Sequence, residues 1–144
     1  MEIQGTDPRF QSVWDRVQGT LVPKEEDWEE FLTGKIRSEL LRRGSYLALG
    51  LHHCAGLSFH RANLLRTARF FCFGIPCWPA LPHNQPAKDI RTLFQEEVLS
   101  EGDYLQARDA CQSDLLGAVF AQCAQDCRKA RQGLWRRIEQ TPEG

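Results

Sequence analysis

The sequence predicts an all-α fold, a single compact bundle of about five to seven helices with one proline-rich loop over residues 74–87. Three observations carry this expectation. Apolar residues recur at i, i+3, i+4 and i+7, the period of a helix face. Capping residues and helix breakers separate the periodic runs. In the one run whose period is ambiguous, strong strand formers are scarce.

The elements follow in order. Asp7 as N-cap and Pro8 at the first helical position open a helix over about 8–18, lined by Phe10, Val13, Trp14 and Val17. Pro23 and the acids Glu25, Glu26 and Asp27 open a second, with Trp28, Phe31, Leu32, Ile36, Leu40 and Leu41 facing inward. Arg42 and Arg43 suit its C-terminal end, and Gly44 reads as the residue that stops it. Ser45 then caps "YLALGLHHCAGL", expected as a short buried helix. Ser58 caps another over 59–73, with Phe59, Ala62, Leu65, Ala68 and Phe70 or Phe71 inside, ended by Gly74 and Pro76. Ile90, Leu93, Phe94 and Val98 mark a helix that ends near Gly102. Asp103 caps the last and longest element, lined by Tyr104, Cys111, Leu115, Val119, Cys123, Cys127, Ala130, Leu134 and Ile138, with Gly117 and Gly133 as points of bending. The ends, about 1–6 and 140–144, are expected to fray.

Composition narrows the class. A chain of 144 residues, 42% hydrophobic and 26% charged, reads as one globular domain over 1–144. A net charge of −1 gives no global pull toward nucleic acid or acidic lipid. The longest apolar run, Phe70 to Trp78, falls far short of the roughly 20 residues that span a bilayer. The opening "MEIQGTDPRF" has neither a basic nor an apolar leader region, so a cytoplasmic or nuclear location with reduced cysteines is expected. Charge is unevenly placed: residues 45–87 contain no Asp or Glu, yet hold Arg61, Arg66, Arg69 and all four histidines. Such a segment reads as the buried heart of the domain, or alternatively as a surface for an anionic or acidic partner.

The chemistry-bearing residues concentrate in "FFCFGIPCWPALPHNQP". His60, Cys72, Cys77 and His83 would make a two-thiolate, two-imidazole zinc shell, although the spacing fits no common finger pattern and no C-x-x-C pair exists. Zinc is the one cofactor the sequence raises. His52, His53 and Cys54 are adjacent, so they point about 100° apart on a helix and make a poor catalytic pair. With no nucleotide-loop, hydrolase or metalloprotease motif, no enzymatic residue emerges. Pro76, Pro79 and Pro82 recur every third residue, the period of a polyproline helix. A stiff loop packing Trp78 and Leu81 onto the core is the competing reading.

Two basic groups, Arg61, Arg66 and Arg69 and then Arg128, Lys129, Arg131, Arg136 and Arg137, would contact phosphates if they merged in space. "RRGSY" presents Ser45 as a basophilic phosphorylation site at a helix start. Together these features favour a non-enzymatic protein–protein interaction module, an adaptor or regulatory factor. It would bind another protein through an apolar and aromatic surface anchored on Trp28, Trp78, Leu81 and Trp135. Such a composition is compatible with a virally encoded host-interaction factor or a subunit of a larger assembly. A zinc-stabilised regulator and a nucleic-acid-associated factor are the alternatives.

Overall fold

One glycine reverses the chain after its first described helix. In the computed structural model, which describes residues 25–140, α1 (Glu25–Ala48) ends where Gly50 takes φ +75. The Gly50 N–H donates to the Leu47 carbonyl at 3.1 Å and the Leu51 N–H to that of Tyr46 at 2.8 Å. This is a Schellman turn, and Leu51 folds back into the apolar cluster that contains Tyr46. Nothing lies within 4 Å of the Cβ position at Gly50, so only backbone strain opposes a side chain there. Gly50→Ala is therefore expected to cost about 1 kcal/mol, read as a lower urea midpoint. An unchanged midpoint would show that the turn does not depend on the left-handed residue.

α2 (His52–Phe73) starts immediately and stops at Gly74, φ +71, whose N–H donates to the Phe70 carbonyl at 2.8 Å. An extended loop leads to α3 (Ile90–Ala110), where the Asp89 carboxylate accepts from the Thr92 N–H at 2.8 Å. That N–H bond holds the Asp89 carboxyl below the usual carboxylate range. The Ser113 hydroxyl caps α4 (Asp114–Gln140) by accepting from the Leu116 N–H at 3.2 Å. α1 packs along α2 and α3 along α4, and the pairing of α2 with α4 joins the two hairpins.

The described residues form four helices, fewer than the five to seven expected, because two expected helices fuse into α2 and another lies outside the described residues; tertiary contacts also carry α1 and α3 through expected stops. The helix expected over 8–18, Trp14 included, lies outside the described residues, as do 1–6 and 141–144. α1 passes Gly44 and Ser45, since the next turn buries Tyr46 completely. α2 fuses two expected helices, and Ser58 lies in its interior, its hydroxyl accepting from Arg61 Nη2 at 2.9 Å. α3 runs through Gly102 and Asp103, where Lys35 of α1 pairs with Asp103 at 2.6 Å. One glycine inside a helix costs roughly 1 kcal/mol, less than a buried Tyr and an ion pair return together. α4 continues through Gly117 and Gly133.

The acid-free segment is not simply the buried heart. α2 does contribute Cys54, Ala55, Ala62, Leu65 and Ala68 to the interior. Phe70 and Phe71, however, are 49% and 69% exposed, and the loop that follows is mostly exposed. The interior instead draws carboxylates from the acid-rich flanks. One apolar cluster joins Trp28, Leu32, Ile36, Leu65, Tyr104, Phe120 and Cys127, with the Phe120 ring 5.5 Å from Trp28 and 6.4 Å from Tyr104. A second joins Tyr46, Cys54, Ala55, Leu93, Ala130 and Leu134.

Between the two clusters, four charged residues sit on the first three helices: Glu39 and Arg42 on α1, Arg61 on α2 and Glu97 on α3. All four are buried. Arg61 Nη2 donates to Glu97 Oε2 at 2.8 Å, while its Nε lies 2.8 Å from Glu39 Oε2, close enough for attraction but off the hydrogen-bond axis. Arg42 pairs with Glu97 at 3.2 Å and Glu39 at 3.5 Å, and donates to the Ser100 hydroxyl at 2.7 Å. The Tyr104 hydroxyl donates to Glu39 at 2.7 Å, and the Tyr46 hydroxyl donates to Glu97. Two carboxylates against two guanidiniums leave the layer neutral. Burial would raise the Glu39 carboxyl, but Arg42, Arg61 and the Tyr104 hydroxyl outweigh it and hold it below the usual range.

Candidate functional site

The loop after α2 cannot satisfy its own backbone. Pro76, Pro79, Pro82 and Pro86 have no N–H to donate to its carbonyls. Side chains from α1 and α2 supply the donors instead. Arg66 Nη1 bonds the Pro76 carbonyl at 3.2 Å, Arg69 Nη1 that of Cys77 at 3.3 Å, and Arg37 Nε that of Ala80 at 2.9 Å. At the far end the Lys88 N–H donates to the Ser45 hydroxyl at 3.1 Å. The loop is strapped across the α1–α2 hairpin along most of its length.

This strapping fixes Trp78. Its ring stacks on Phe59 of α2, with centroids 6.0 Å apart and planes 24° from parallel. The Arg66 guanidinium carbon stands 4.5 Å from the Trp78 centroid, and that of Arg43 stands 4.6 Å from Phe59. Arg43, Phe59, Trp78 and Arg66 thus form a ladder of cation, ring, ring and cation contributed by α1, α2 and the loop. Both rings keep more than a third of their surface in solvent, 36% for Phe59 and 37% for Trp78. A shallow groove bounded by Arg66, Thr67, Phe70 and Pro76 adjoins the ladder. On the other side of the loop, Leu81, Pro82 and Pro86 line a groove against Leu40, Leu41 and Ala48 of α1.

The four anchor residues separate. Trp78 and Leu81 share the strapped loop. Trp135 lies on another surface, tilted against Phe94 at 5.5 Å and lining a groove of about 570 Å³ with Arg131, Gln132, Arg136 and Glu139. Trp28 is corrected to the core: it is 8% exposed, stacks on Phe120 and meets Phe31 edge to face, because the acids before it place it one turn inside α1, on the buried face.

The residues named for zinc do not converge. Cys77 and His83 are exposed, Cys72 is half-buried, and the His60 ring contacts the buried Asp126 carboxylate at 2.6 Å. Among the described residues no three of His, Cys, Asp and Glu form a group that could hold a metal ion. Burial raises the Cys72 thiol, which disfavours the thiolate a metal would need.

The arginine groups are largely spoken for. Arg61 is withdrawn from solvent into the ionic layer and so touches no phosphate. Arg69 pairs with Glu29 at 3.4 Å, and Arg128 and Arg131 both pair with Glu101, at 3.1 and 2.6 Å. Lys129 and Arg136 lie at the surface of α4. Ser45 is buried inside α1 under the Lys88 backbone, so it is neither a helix N-cap nor open to a kinase in this fold.

Sequence reasoning placed Phe59 inside and assigned Arg43 only to the helix end. The signal for the ladder was present in part: Phe59 and Arg66 are seven residues apart and share a helix face. Compared with family models, curated proteins and solved structures, the chain matches none of them.

Proposed function

We propose that this chain is a non-enzymatic protein–protein interaction module, an adaptor or regulatory factor, whose contact surface is the Trp78 ladder with Phe59 at its centre. The observation that carries the reading is a Trp ring left 37% exposed although a stack and three arginine straps fix its position. Rigid aromatic and arginine side chains dominate binding hot spots, because little entropy is lost when they are covered. Phe70, Phe71 and Leu81 extend the apolar area on either side.

The test is affinity capture from cell extract, followed by affinity measurement with the partner recovered. Trp78→Ala is expected to weaken binding by at least about 30-fold, the equivalent of roughly 2 kcal/mol for a hot spot. Trp135→Ala, on the α3–α4 surface, is expected to change it less than about threefold. A reproducible partner indifferent to Trp78→Ala, with helicity intact by circular dichroism, would overturn the site.

A further inference from the structure

We infer that the occupant of the ladder surface is an acidic segment of a partner protein, one that sets carboxylates against Arg43 and Arg66 while apolar side chains cover Trp78, Phe59 and Phe70. The inference rests on the partner-binding reading above and adds the chemistry of the partner. Its basis is charge complementarity. Five arginines elsewhere in the bundle, Arg42, Arg61, Arg108, Arg128 and Arg131, each have a carboxylate within 4 Å, and so does Arg69, the one loop strap paired with an acid, Glu29. The other three guanidiniums around the loop are different. Among the described residues Arg43 meets only the Phe59 ring, Arg66 only the Trp78 ring and the Pro76 carbonyl, and Arg37 only the Ala80 carbonyl. From residue 45 to residue 87 the chain itself offers no acid to neutralise them.

Stacking makes that imbalance usable. A guanidinium lying on a ring commits its face, while its donors radiate in the plane of its edge. Arg43 donates none of these to a described residue, and Arg66 donates one. A carboxylate arriving along the edge forms a charge-assisted pair without disturbing the stack. The alternative of single-stranded nucleic acid, which binds by stacking bases on aromatic faces, fits less well. Phe59 and Trp78 already stack on each other, and each also carries a guanidinium, so their faces are engaged. What the surface still offers is ring edges, apolar neighbours and cationic edges, which suits an acidic segment carrying Leu or Phe.

The experiment pans a displayed library of random peptides, about twelve residues long, a length that spans a groove of this kind, against the full chain. Selected peptides are then titrated against the wild type, Arg43→Glu, Arg43→Gln and Trp78→Ala, with an oligouridine as a parallel probe. The expected result is peptides rich in Asp and Glu beside Leu, Phe or Trp. Their affinity should fall more than tenfold with Arg43→Glu, less with Arg43→Gln, and steeply with added salt. Selected peptides that are uncharged or basic, lose affinity with Trp78→Ala and ignore Arg43→Glu would overturn the acidic partner while leaving the partner-binding reading intact. Peptides indifferent to both substitutions would overturn both. Oligouridine binding abolished by Arg43→Glu would replace the acidic protein with nucleic acid. Circular dichroism of each variant separates these outcomes from unfolding.

Discussion

Replacing Arg61 with leucine should lower the stability of the fold by about 3–5 kcal/mol, a large part of what holds a domain of this size together. Arg61 is fully buried and contacts both Glu39 and Glu97 at 2.8 Å, so its loss strands two buried carboxylates with Arg42 alone to face them. The cost is not the energy of the ion pairs, since the attraction is roughly offset by desolvation. It is the penalty of leaving charge uncompensated away from water. The comparison that isolates this point replaces the whole network: Glu39, Arg42, Arg61 and Glu97 with leucine and methionine, Tyr46 and Tyr104, whose hydroxyls donate to the two carboxylates, with phenylalanine, and Ser58 and Ser100 with alanine. That variant is expected to be no less stable than the wild type, and to gain as much as about 1–4 kcal/mol. Urea denaturation of both variants checks the pair of expectations. A loss below about 1 kcal/mol for Arg61→Leu would show that the layer is wet or that the carboxylates are neutral.

The same quartet explains what the sequence concealed. Helix periodicity was legible: Leu32, Ile36, Ala62, Leu65, Ala68, Val119, Cys123 and Leu134 were all read as inward-facing and all are buried. The terminator at Gly74 was also legible, because glycine followed by proline is a local signal. The helix boundaries at Gly44, Ser58 and Gly102 were not. Each is overridden by a partner distant in the chain: Glu97 reaching Tyr46 and Arg42, Arg61 drawn inward by Glu39, and Lys35 holding Asp103. Position on the helix wheel sets Arg61 on the stripe of Cys54, Leu65 and Ala68, and Glu97 on that of Leu93 and Tyr104, but hydropathy argues against burying either, and only the pairing of opposite charges from neighbouring helices at one level makes it favourable. The ladder was hidden for a related reason. Phe59 reads as core by composition, and it is the loop, strapped back by arginines, that turns it into one rung of a surface.

Stability should collapse on the alkaline side well before the lysines titrate. Burial pushes the thiols of Cys54, Cys123 and Cys127 up, Cys54 to about 11 from an ordinary 9.0, and nearby carboxylates add to the effect. Burial likewise raises the Tyr46 and Tyr104 phenols, which lie against Glu97 and Glu39. The sign follows from linkage. These groups keep their protons in the folded state, whereas in the unfolded chain the thiols release theirs near 9.0 and the phenols near 10.0. Their contribution is therefore complete below about pH 9 and is lost as the pH rises toward the folded values. Each such group removes about 1.4 kcal/mol per pH unit, so three thiols together remove roughly 4 kcal/mol per unit above pH 9. Denaturation midpoints measured under reducing conditions from about pH 8 to about pH 10.5 should fall steeply across the upper half of that range. Cys54→Ala and Cys127→Ala should each flatten the slope by about 1.4 kcal/mol per unit, even if they lower the plateau. A wild-type midpoint that stays level over that interval would mean that the thiols ionise inside the fold, and that the interior between α2 and α4 admits solvent.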